Sequence, residues 1–305
     1  MTRNEISTLR VQSPILVTGA SGKTGRAVIR ALIAKGDGRS PVRALVHRPD
    51  QVRATQDLGA QETIVGDMRD QATMEQAARG ARAICHICPN VNPDEAAIGQ
   101  VVIAAAHSAG VEHLVYHSVL HPQTEAMPHH WQKLRVEERL FESGLRYTIL
   151  QPAAYMQNVL AYWNQIVDQG IYPVPYAVET RLGMVDLEDV AEVAAIVLTE
   201  PGHVGAMYEL VGVEALSQAE VAAILGQRLG RPVRAQAVPL DEWERKARAS
   251  GMSDYAVETL IRMFHYYGRF GLCGSPNVLN WLLHRPAMTF SAFVERAARK
   301  PIPNT

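Results

Sequence analysis

Short runs of apolar and β-branched residues alternate with longer stretches of helical periodicity between Ile15 and Leu150. The first run leads into a glycine-rich turn and then into a helix rich in Ala, Val and Ile. The six runs are Ile15 to Thr18, Val42 to Val46, Thr63 to Val65, Ala83 to Cys88, His113 to His117 and Tyr147 to Leu150. Strands that alternate with helices are typical of βα units. The pattern therefore predicts an α/β protein with a doubly wound, parallel, Rossmann-like sheet and ligand loops at the carboxyl ends of its strands.

The periodicity changes after the sixth run. The sequence Tyr172-Pro173-Val174-Pro175 predicts a turn-rich break. A helix is expected to start within Val185 to Val190 and to run toward Leu198. Asp186 is a plausible N-cap for this helix, with Asp189 as a weak variant of the capping-box partner.

The last third of the chain is predicted to be mostly helical. It is preceded by a strand at about Met207 to Val211, a helix from Ser217 and a strand near Val233 to Val238. From Asp241 to Arg299 the helices are broken at Gly251, at Gly268 to Gly274 and at Pro286. We therefore expect a Rossmann domain over residues 1–152, to which residues 183–212 return. A smaller, mostly helical substrate lobe is expected over residues 213–305, together with about 153–182.

Composition narrows the class of protein. The chain has 305 residues, 47% hydrophobic and 20% charged, which is the mix of a globular protein. Its formal charge is -1, so we expect neither a nucleic acid nor an anionic membrane as partner. Three cysteines favour a reducing compartment, with the cytoplasm as the default location. The segment Met1 to Arg10 lacks the apolar stretch of a secretory signal, and polar residues interrupt every run before it could span a membrane.

The strongest motif is a G-x-x-G-x-x-G turn between the first strand and the first helix. It consists of Gly19, Ala20, Ser21, Gly22, Lys23, Thr24 and Gly25. The first glycine allows a sharp turn, the second lets the backbone approach a pyrophosphate, and the third permits close packing of the helix. Free N–H groups at the helix N-terminus attract the anion. The position between strand and helix favours a dinucleotide site over a purely structural turn.

A nucleoside triphosphatase loop is the competing interpretation of Gly22-Lys23-Thr24. That loop needs a glycine five residues before Gly22, where this chain has Val17. The triphosphatase interpretation therefore fails.

The end of the second strand distinguishes the two nicotinamide cofactors. A carboxylate there would hold the ribose diol of NAD, and a cation would hold the phosphate of NADP. No acidic residue lies between Asp37 and Asp50, and Arg48 comes just after the strand. A guanidinium can grip a phosphate with two hydrogen bonds, which favours NADP(H). The alternative is a solvated surface arginine.

The third strand is followed by Gly66-Asp67-Met68. The Asp67 carboxylate would accept a hydrogen bond from the adenine amino group, or would cap the next helix. The sequence leaves both roles open.

These motifs resemble the NmrA-like branch of the atypical short-chain dehydrogenase/reductase superfamily. The likeness covers nearly the whole chain: the glycine turn after Thr18, the arginine after the second strand and the Gly-Asp after the third. It continues in a lysine helix and a Tyr-Thr strand, which here read Lys133 to Glu137, Ser143 to Pro152 and Tyr155 to Asn158. The resemblance implies a Rossmann fold, an NADP(H) cofactor and a C-terminal substrate lobe.

The resemblance also implies residue roles. Short-chain dehydrogenases use a Ser and a Y-x-x-x-K pair to polarise a carbonyl and supply a proton. Here Ser118 ends the fifth strand where that serine would lie, Lys133 matches the lysine, and His129 replaces the tyrosine. His129 and Lys133 share a helix face, and a histidine is chemically able to donate a proton near neutral pH. The alternative for Lys133 is a weak ion pair with Glu137.

Further contacts are expected from the same resemblance. Tyr155 would line the nicotinamide and substrate pocket, with Trp163, Tyr172 and Tyr176, although such aromatic residues more often form core. Ile87, Cys88 and Pro89 would lie along the cofactor, and Met68 would follow Asp67 at its adenine end. Cys85 and Cys88 form a C-x-x-C, but residues three apart on a strand face opposite sides, and neither they nor the eleven histidines predict a metal site.

Two functions follow as expectations. The first is an enzyme in which NADPH gives hydride to a quinone, a carbonyl or a conjugated aromatic acceptor. The second is a protein that binds NADP(H) as a redox sensor without turnover. A small-molecule substrate is the expected partner, and a homodimer is implied only by the family.

Overall fold

The computed structural model describes residues 13–36 and 40–299. The chain folds into two compact units. The first unit extends through Gln123 and includes His129–Gln151 and Val190–Tyr208. The second contains Thr124–Pro128, Pro152–Asp189 and the chain from Glu209 onward. The segment Met1 to Arg10, where no signal is expected, and Asp37 lie outside the described residues.

A seven-stranded sheet of order β3-β2-β1-β4-β5-β6-β9 forms the centre of the first unit. Its strands are β1 (Ile15–Val17), β2 (Val42–Val46), β3 (Glu62–Val65), β4 (Ala83–His86), β5 (His113–His117), β6 (Tyr147–Pro152) and β9 (Ala206–Leu210). The pairs from β3 through β6 are parallel, and β1 lies between β2 and β4, with Ile15 opposite Val42 and Ala83. All residues of β1 and β4 are buried, which explains their continuous apolar runs. The predicted Rossmann-like fold is confirmed.

Helices separate the strands of this sheet. They are α1 (Lys23–Lys35), α2 (Val52–Gln56), α3 (Gln71–Ala78), α4 (Glu95–Ser108), α5 (Pro128–Glu142) and α7 (Leu187–Thr199), with a short 3-10 turn at Pro49–Gln51. A buried cluster joins the strands to these helices through Ile84, Leu114, Ile98, Val102 and Val136. Burial of these side chains holds α4 and α5 against the sheet.

The second unit contains a longer mixture of elements. They are a 3-10 helix (Met156–Tyr162), α6 (Trp163–Gln169), β7 (Ile171–Val174), β8 (Arg181–Gly183), β10 (Ala215–Ser217), α8 (Gln218–Leu229), β11 (Arg234–Ala237), α9 (Leu240–Ala249), α10 (Asp254–Phe270), α11 (Asn277–Leu283) and α12 (Phe290–Arg299). Ser217 caps α8 in a capping box with Glu220. None of the helices within residues 13–36 and 40–299 combines the length and apolar character needed to cross a membrane.

The predicted break at Tyr172-Pro173-Val174-Pro175 is wrong. Most of it belongs to β7, which pairs in parallel with β11, with Pro173 opposite Gln236. A proline lacks an N–H donor, but a two-stranded sheet has two edges, so one side of each strand needs no ladder partner.

The start of α7 agrees with the prediction, because the helix begins at Leu187, directly after Asp186, the predicted N-cap position. Val185, one residue earlier, forms a bridge with Tyr155. The two carboxylates assigned to its cap contact the C-terminal segment instead: Asp186 accepts from Arg296 at 2.8 Å, and Asp189 accepts from Arg285 at 2.8 Å. Both aspartates are buried, and such a charge requires a partner, which the distant arginines provide.

Candidate functional site

The glycine turn has the geometry that its sequence predicts. Gly19 has φ 58°, and a Cβ there would lie 2.5 Å from the Ile87 carbonyl oxygen. A Cβ on Gly25 would lie 2.3 Å from the Gly19 carbonyl oxygen and 2.7 Å from the Ala20 Cα. Glycine is therefore required at both positions, by the turn and by the close approach of α1.

The N-terminus of α1 presents backbone N–H groups beside this turn. Gly22 is the N-cap residue and supplies no side-chain cap, and the first turn has no acidic residue. The helix ladder starts with Arg26 N–H donating to the Gly22 carbonyl, so the amides of Lys23, Thr24 and Gly25 precede it. A Cβ on Gly22 would meet only the Gly19 oxygen, at 3.3 Å. The space and the donors therefore fit a pyrophosphate.

Two neighbouring strands are tied to the turn. The Thr18 hydroxyl accepts from the Ile87 N–H at 2.9 Å, and the Ala20 N–H donates to the Leu45 carbonyl at 3.3 Å. These bonds bring the loop after β4 and the end of β2 to the turn. Cys88 in that loop is a buried free thiol whose pKa is raised by burial, and Pro89 is exposed.

Arg48 follows β2 and is exposed, but it is already paired. Its Nε and Nη2 donate to the two carboxylate oxygens of Asp50 at 3.0 and 3.2 Å. This hydrogen bonding raises the pKa of Arg48 and lowers that of Asp50. The contact uses one edge of the guanidinium, so other N–H donors remain for a phosphate.

Asp67 does not cap the helix after β3. Asp70 is the N-cap of α3 and accepts from the Thr73 N–H, because Asp67 lies too early in the chain for that position. Asp67 instead accepts from the Arg69 backbone N–H at 2.9 Å and from its guanidinium. Met68 packs against the core of the first unit. The prediction that Asp67 caps this helix is therefore wrong, and the contact with the adenine amino group stays a prediction.

Lys133 is buried on α5 and contacts Glu95 on α4. Its Nζ lies 3.0 Å from the Glu95 Oε1 and 3.4 Å from the His117 carbonyl oxygen, and 5.5 Å from the centre of the Tyr116 ring. The Tyr116 hydroxyl donates to the same Oε1 at 2.8 Å. The alternative of an ion pair with Glu137 is therefore replaced by a pair with a residue on another helix.

Ser118 and Glu137 form a second polar group in the same unit. The buried Ser118 hydroxyl donates to the Glu137 Oε1, and the Gln151 Nε2 donates to both Glu137 oxygens at 3.0 Å. Burial raises the pKa of Glu137, although these hydrogen bonds act in the opposite direction. The Ser118 proton is thus directed toward Glu137.

His129 is buried one helical turn before Lys133 and stacks edge-on against His130, with ring centroids 4.5 Å apart. Its Nδ1 is buried and has no hydrogen-bond partner in the part of the chain that the structure describes. Burial, with smaller contributions from His130 and Lys133, lowers the pKa of His129 to about 3. At neutral pH this imidazole is therefore neutral and carries no imidazolium proton to donate.

Several residues that contact Lys133 and Glu137 could not be identified from a sequence motif. Glu95 lies 38 positions before Lys133, and Tyr116 and Gln151 lie inside strands. Their contacts depend on how α4, α5 and the sheet meet. Glu137 is the exception, because the sequence places it four residues after Lys133.

The aromatic residues predicted for the pocket lie in the second unit. Trp163 and Tyr172 are buried, and the Tyr172 hydroxyl donates to the Gln218 Oε1 at 3.0 Å. The Tyr176 ring contacts the Tyr267 ring edge-on. Tyr155, which is partly buried, precedes the 3-10 helix.

A cavity of about 200 Å³ also lies in the second unit, with Tyr162, Trp243 and Lys246 in its lining. Pockets for complete drug-sized ligands are larger, at about 300–1,000 Å³. This cavity alone would hold only part of such a ligand.

Comparisons with known proteins agree with this geometry. Residues 11–294 match the model of the NmrA-like family. The chain is 32% identical over 286 residues to an NAD(P)H azoreductase of Xenophilus azovorans, covering 93% of this chain and 98% of the relative. It is 29% identical over 282 residues to quinone oxidoreductase 2 of Escherichia coli, covering 92% and 97%. A crystal structure of the Escherichia coli NADPH-dependent quinone oxidoreductase QOR2 with NADPH superimposes with a TM-score of 0.82 at 27% identity, covering 93% and 100%.

Proposed function

The chain belongs to the NmrA-like family, and from this premise we propose that it is an NADP(H)-dependent oxidoreductase that reduces quinones or conjugated dyes. The observation that carries the proposal is the meeting of three segments at the uncapped N-terminus of α1. These are the glycine turn, the Ile87 loop and the end of β2 before Arg48. The similarity to the azoreductase and to the quinone oxidoreductase extends over nearly the whole length of each relative.

In this proposal the backbone holds the cofactor's diphosphate. The glycine turn of residues 19–25 would surround it, with the amides of Lys23, Thr24 and Gly25 as donors, and Arg48 would meet the 2′-phosphate. Asp67 and Met68 lie at the adenine end, and Ile87, Cys88 and Pro89 lie along the middle of the cofactor. NADPH supplies the hydride when it is bound.

Lys133 would donate to the nicotinamide ribose. An ammonium has three N–H donors, and Glu95 and the His117 carbonyl use two of them. One donor therefore remains for a ribose hydroxyl. Ser118 orients the acceptor end in this proposal, with its own hydroxyl fixed by Glu137.

The state of His129 selects the class of acceptor. A simple aldehyde or ketone becomes a basic alkoxide when it takes a hydride, so its reduction requires an acid at the oxygen. A quinone becomes a delocalised hydroquinone anion, which needs no simultaneous proton. Because His129 is neutral, it serves as a hydrogen-bond donor to the acceptor and not as an acid. This favours quinones and dyes over simple carbonyl compounds.

The second unit would supply the substrate lobe, with residues 213–305 and about 153–182 forming it and residues 183–212 returning to the Rossmann domain. Tyr155 is the proposed acceptor contact there. We place the protein in the cytoplasm, a reducing compartment that suits its three free cysteines, and propose a homodimer. Light scattering during gel filtration tests the dimer.

The activity test follows the loss of NADPH absorbance with a panel of quinones, azo dyes, aldehydes and ketones. We expect turnover with quinones or dyes and little with simple aldehydes. Tight NADPH binding with no consumption of any acceptor would instead indicate the redox-sensor function. Efficient reduction of simple aldehydes would contradict the argument from His129.

Arg48→Ala tests the cofactor site. We expect NADPH affinity to fall about ten- to a hundredfold, the range for hydrogen bonds to a charged group, while NADH affinity changes little. Arg53→Ala is the matched control, because Arg53 is an exposed arginine on α2 whose partner is Asp57. Fluorescence titration measures both cofactors, and equal losses for NADPH and NADH would refute the assignment.

A further inference from the structure

Among residues 13–36 and 40–299, the ammonium of Lys133 has one ion-pair partner, Glu95, and both side chains are buried. Lys133 and Glu95 are 6% and 2% exposed, and their charged atoms are 3.0 Å apart. Glu95 does not belong to α5, the helix that carries Lys133. It reaches Lys133 from α4, and the Tyr116 hydroxyl fixes its oxygen from β5. Three separate elements therefore determine where this ammonium lies.

The titratable groups around Lys133 come from every element packed against it. They are His86 on β4 and Cys88 after it, Glu95 on α4, Tyr116 and His117 on β5, and His129, His130 and Glu137 on α5.

Most of these neighbours are neutral at neutral pH. Burial lowers the pKa of each of the four histidines to about 3 or 4. It raises the pKa of the Cys88 thiol and that of the Tyr116 hydroxyl. Glu137 is engaged by Ser118 and Gln151, and burial raises its pKa as well. Glu95 is the carboxylate whose oxygen contacts the Lys133 ammonium.

We propose that Glu95 is the positioning residue that holds Lys133 charged and aimed at the nicotinamide ribose. This inference rests on the proposed function, because it assigns the remaining N–H of Lys133 to the cofactor. Without Glu95 the ammonium would be a buried cation without a carboxylate, which gives up its proton at lower pH. The Lys133 amine would also lose the carboxylate that fixes the direction in which its N–H groups point.

The test is Glu95→Gln, which keeps the shape and the acceptor oxygen but removes the charge. NADPH fluorescence titration from about pH 7 to pH 9 should show a nearly constant dissociation constant for the unmodified protein. For the variant we expect affinity about tenfold weaker at pH 7, with a further loss as pH rises, because the charged hydrogen bond is lost with the proton. A purely structural role would weaken binding equally at each pH.

A ligand control separates this site from the adenosine end. The nucleotide 2′,5′-ADP carries the 2′-phosphate but lacks the nicotinamide ribose. Its affinity should be the same for the variant and the unmodified protein. A parallel loss of NADPH and 2′,5′-ADP affinity would overturn the inference, because it would indicate damage to the whole cofactor site.

Variant controls test the route through Lys133. Glu62→Gln removes a glutamate of the same unit that pairs with Arg43, and it should leave NADPH binding unchanged. In a Lys133→Met background, Glu95→Gln should have no further effect on NADPH affinity, whereas additive losses would refute action through Lys133. If Glu95→Gln does not fold, Glu95→Asp replaces it. That variant keeps the charge, so its affinity should be weaker but independent of pH, and a pH-dependent affinity would refute the role.

The failures of the two proposals are distinguishable. If the unmodified protein does not bind NADPH, the proposed function and this inference both fail. If it binds NADPH and Glu95→Gln binds equally well throughout the pH range, the inference fails and the proposed function stands.

Discussion

Four histidines of the first unit are buried as neutral imidazoles, and they predict a steep loss of stability on mild acidification. His86, His117, His129 and His130 are between 1% and 8% exposed. Burial lowers the pKa of His86 and His130 to about 4, and that of His117 and His129 to about 3. In the unfolded chain a histidine has a pKa of about 6.5. Below that pH the unfolded chain binds protons that the folded protein does not, so the free energy of unfolding falls as pH falls.

The size of this effect follows from the number of protons. Each histidine lowers the free energy of unfolding by about 1.4 kcal/mol per pH unit, from about pH 6 down to about pH 4. His113 on β5 adds a fifth such group, because burial lowers its pKa to about 4 as well. Five histidines together give about 7 kcal/mol per pH unit. Burial raises the pKa of two carboxyl groups, Glu137 and Asp189, so their protonation favours the folded state and offsets up to two protons. The net slope should therefore lie between about 4 and 7 kcal/mol per pH unit, against a total stability of about 5–15 kcal/mol.

Urea unfolding at a series of pH values from about 8 down to about 5 measures this slope. We expect stability to be nearly constant above about pH 7 and to be largely lost by about pH 5. His130→Gln should reduce this slope by about 1.4 kcal/mol per pH unit, the contribution of one proton, because the glutamine amide does not titrate. His265→Gln, which changes an exposed histidine of α10, should leave it unaltered. The reasoning would be refuted by a slope below about 1.4 kcal/mol per pH unit, or by an equal effect of the two substitutions.

Two other substitutions test the turn and the cofactor preference. Gly25→Ala should destabilise the protein by about 1–3 kcal/mol in urea unfolding and weaken NADPH binding, because its Cβ would lie 2.3 Å from a backbone oxygen. Gly268→Ala in α10 meets only a contact at 3.6 Å and should stabilise by up to about 1 kcal/mol; a gain for both variants would contradict the packing argument. Asp50→Asn releases Arg48 and removes a negative charge beside the proposed phosphate, so the NADPH-to-NADH affinity ratio should rise about three- to tenfold. Asp57→Asn, which affects the Arg53 pair, should leave that ratio unchanged, and a fall in the ratio for Asp50→Asn would be inconsistent with competition for Arg48.

The parts of the fold that the sequence predicts are those set by local pattern. The six strands predicted between Ile15 and Leu150 appear near their predicted positions. All of them except the edge strand β3 are mostly buried, and strands buried on both faces need continuous apolar runs. The glycine turn is predictable for a related reason. A Cβ on Gly19 or Gly25 would meet atoms only a few residues away, or in the loop after the neighbouring strand β4. The requirement for a missing side chain is visible in the residue itself.

The parts that could not be predicted depend on contacts between distant segments. Asp186 and Asp189 are spaced as helix-capping residues. Their carboxylates, however, accept hydrogen bonds from Arg296 and Arg285, which lie about a hundred residues later in the chain. Likewise, Lys133 has a glutamate four residues away, and the ion pair forms with Glu95 on another helix. Local spacing identifies a partner that is within reach, whereas burial determines which partner is used.

The replacement of a tyrosine by His129 has a consequence for how activity should be interpreted at low pH. A drop in activity below about pH 6 would ordinarily suggest a group that must lose its proton, with an imidazole as the first candidate. Here His129 has a pKa of about 3, so its own titration lies well below that range. The unfolded chain binds protons at its histidines from about pH 6.5 downward, and the folded state becomes less populated in the same interval. A fall in activity that follows the loss of the folded state toward about pH 5 therefore reports the equilibrium between folded and unfolded chains. The chemistry of the site is isolated only above about pH 7, where that equilibrium no longer depends on these imidazoles.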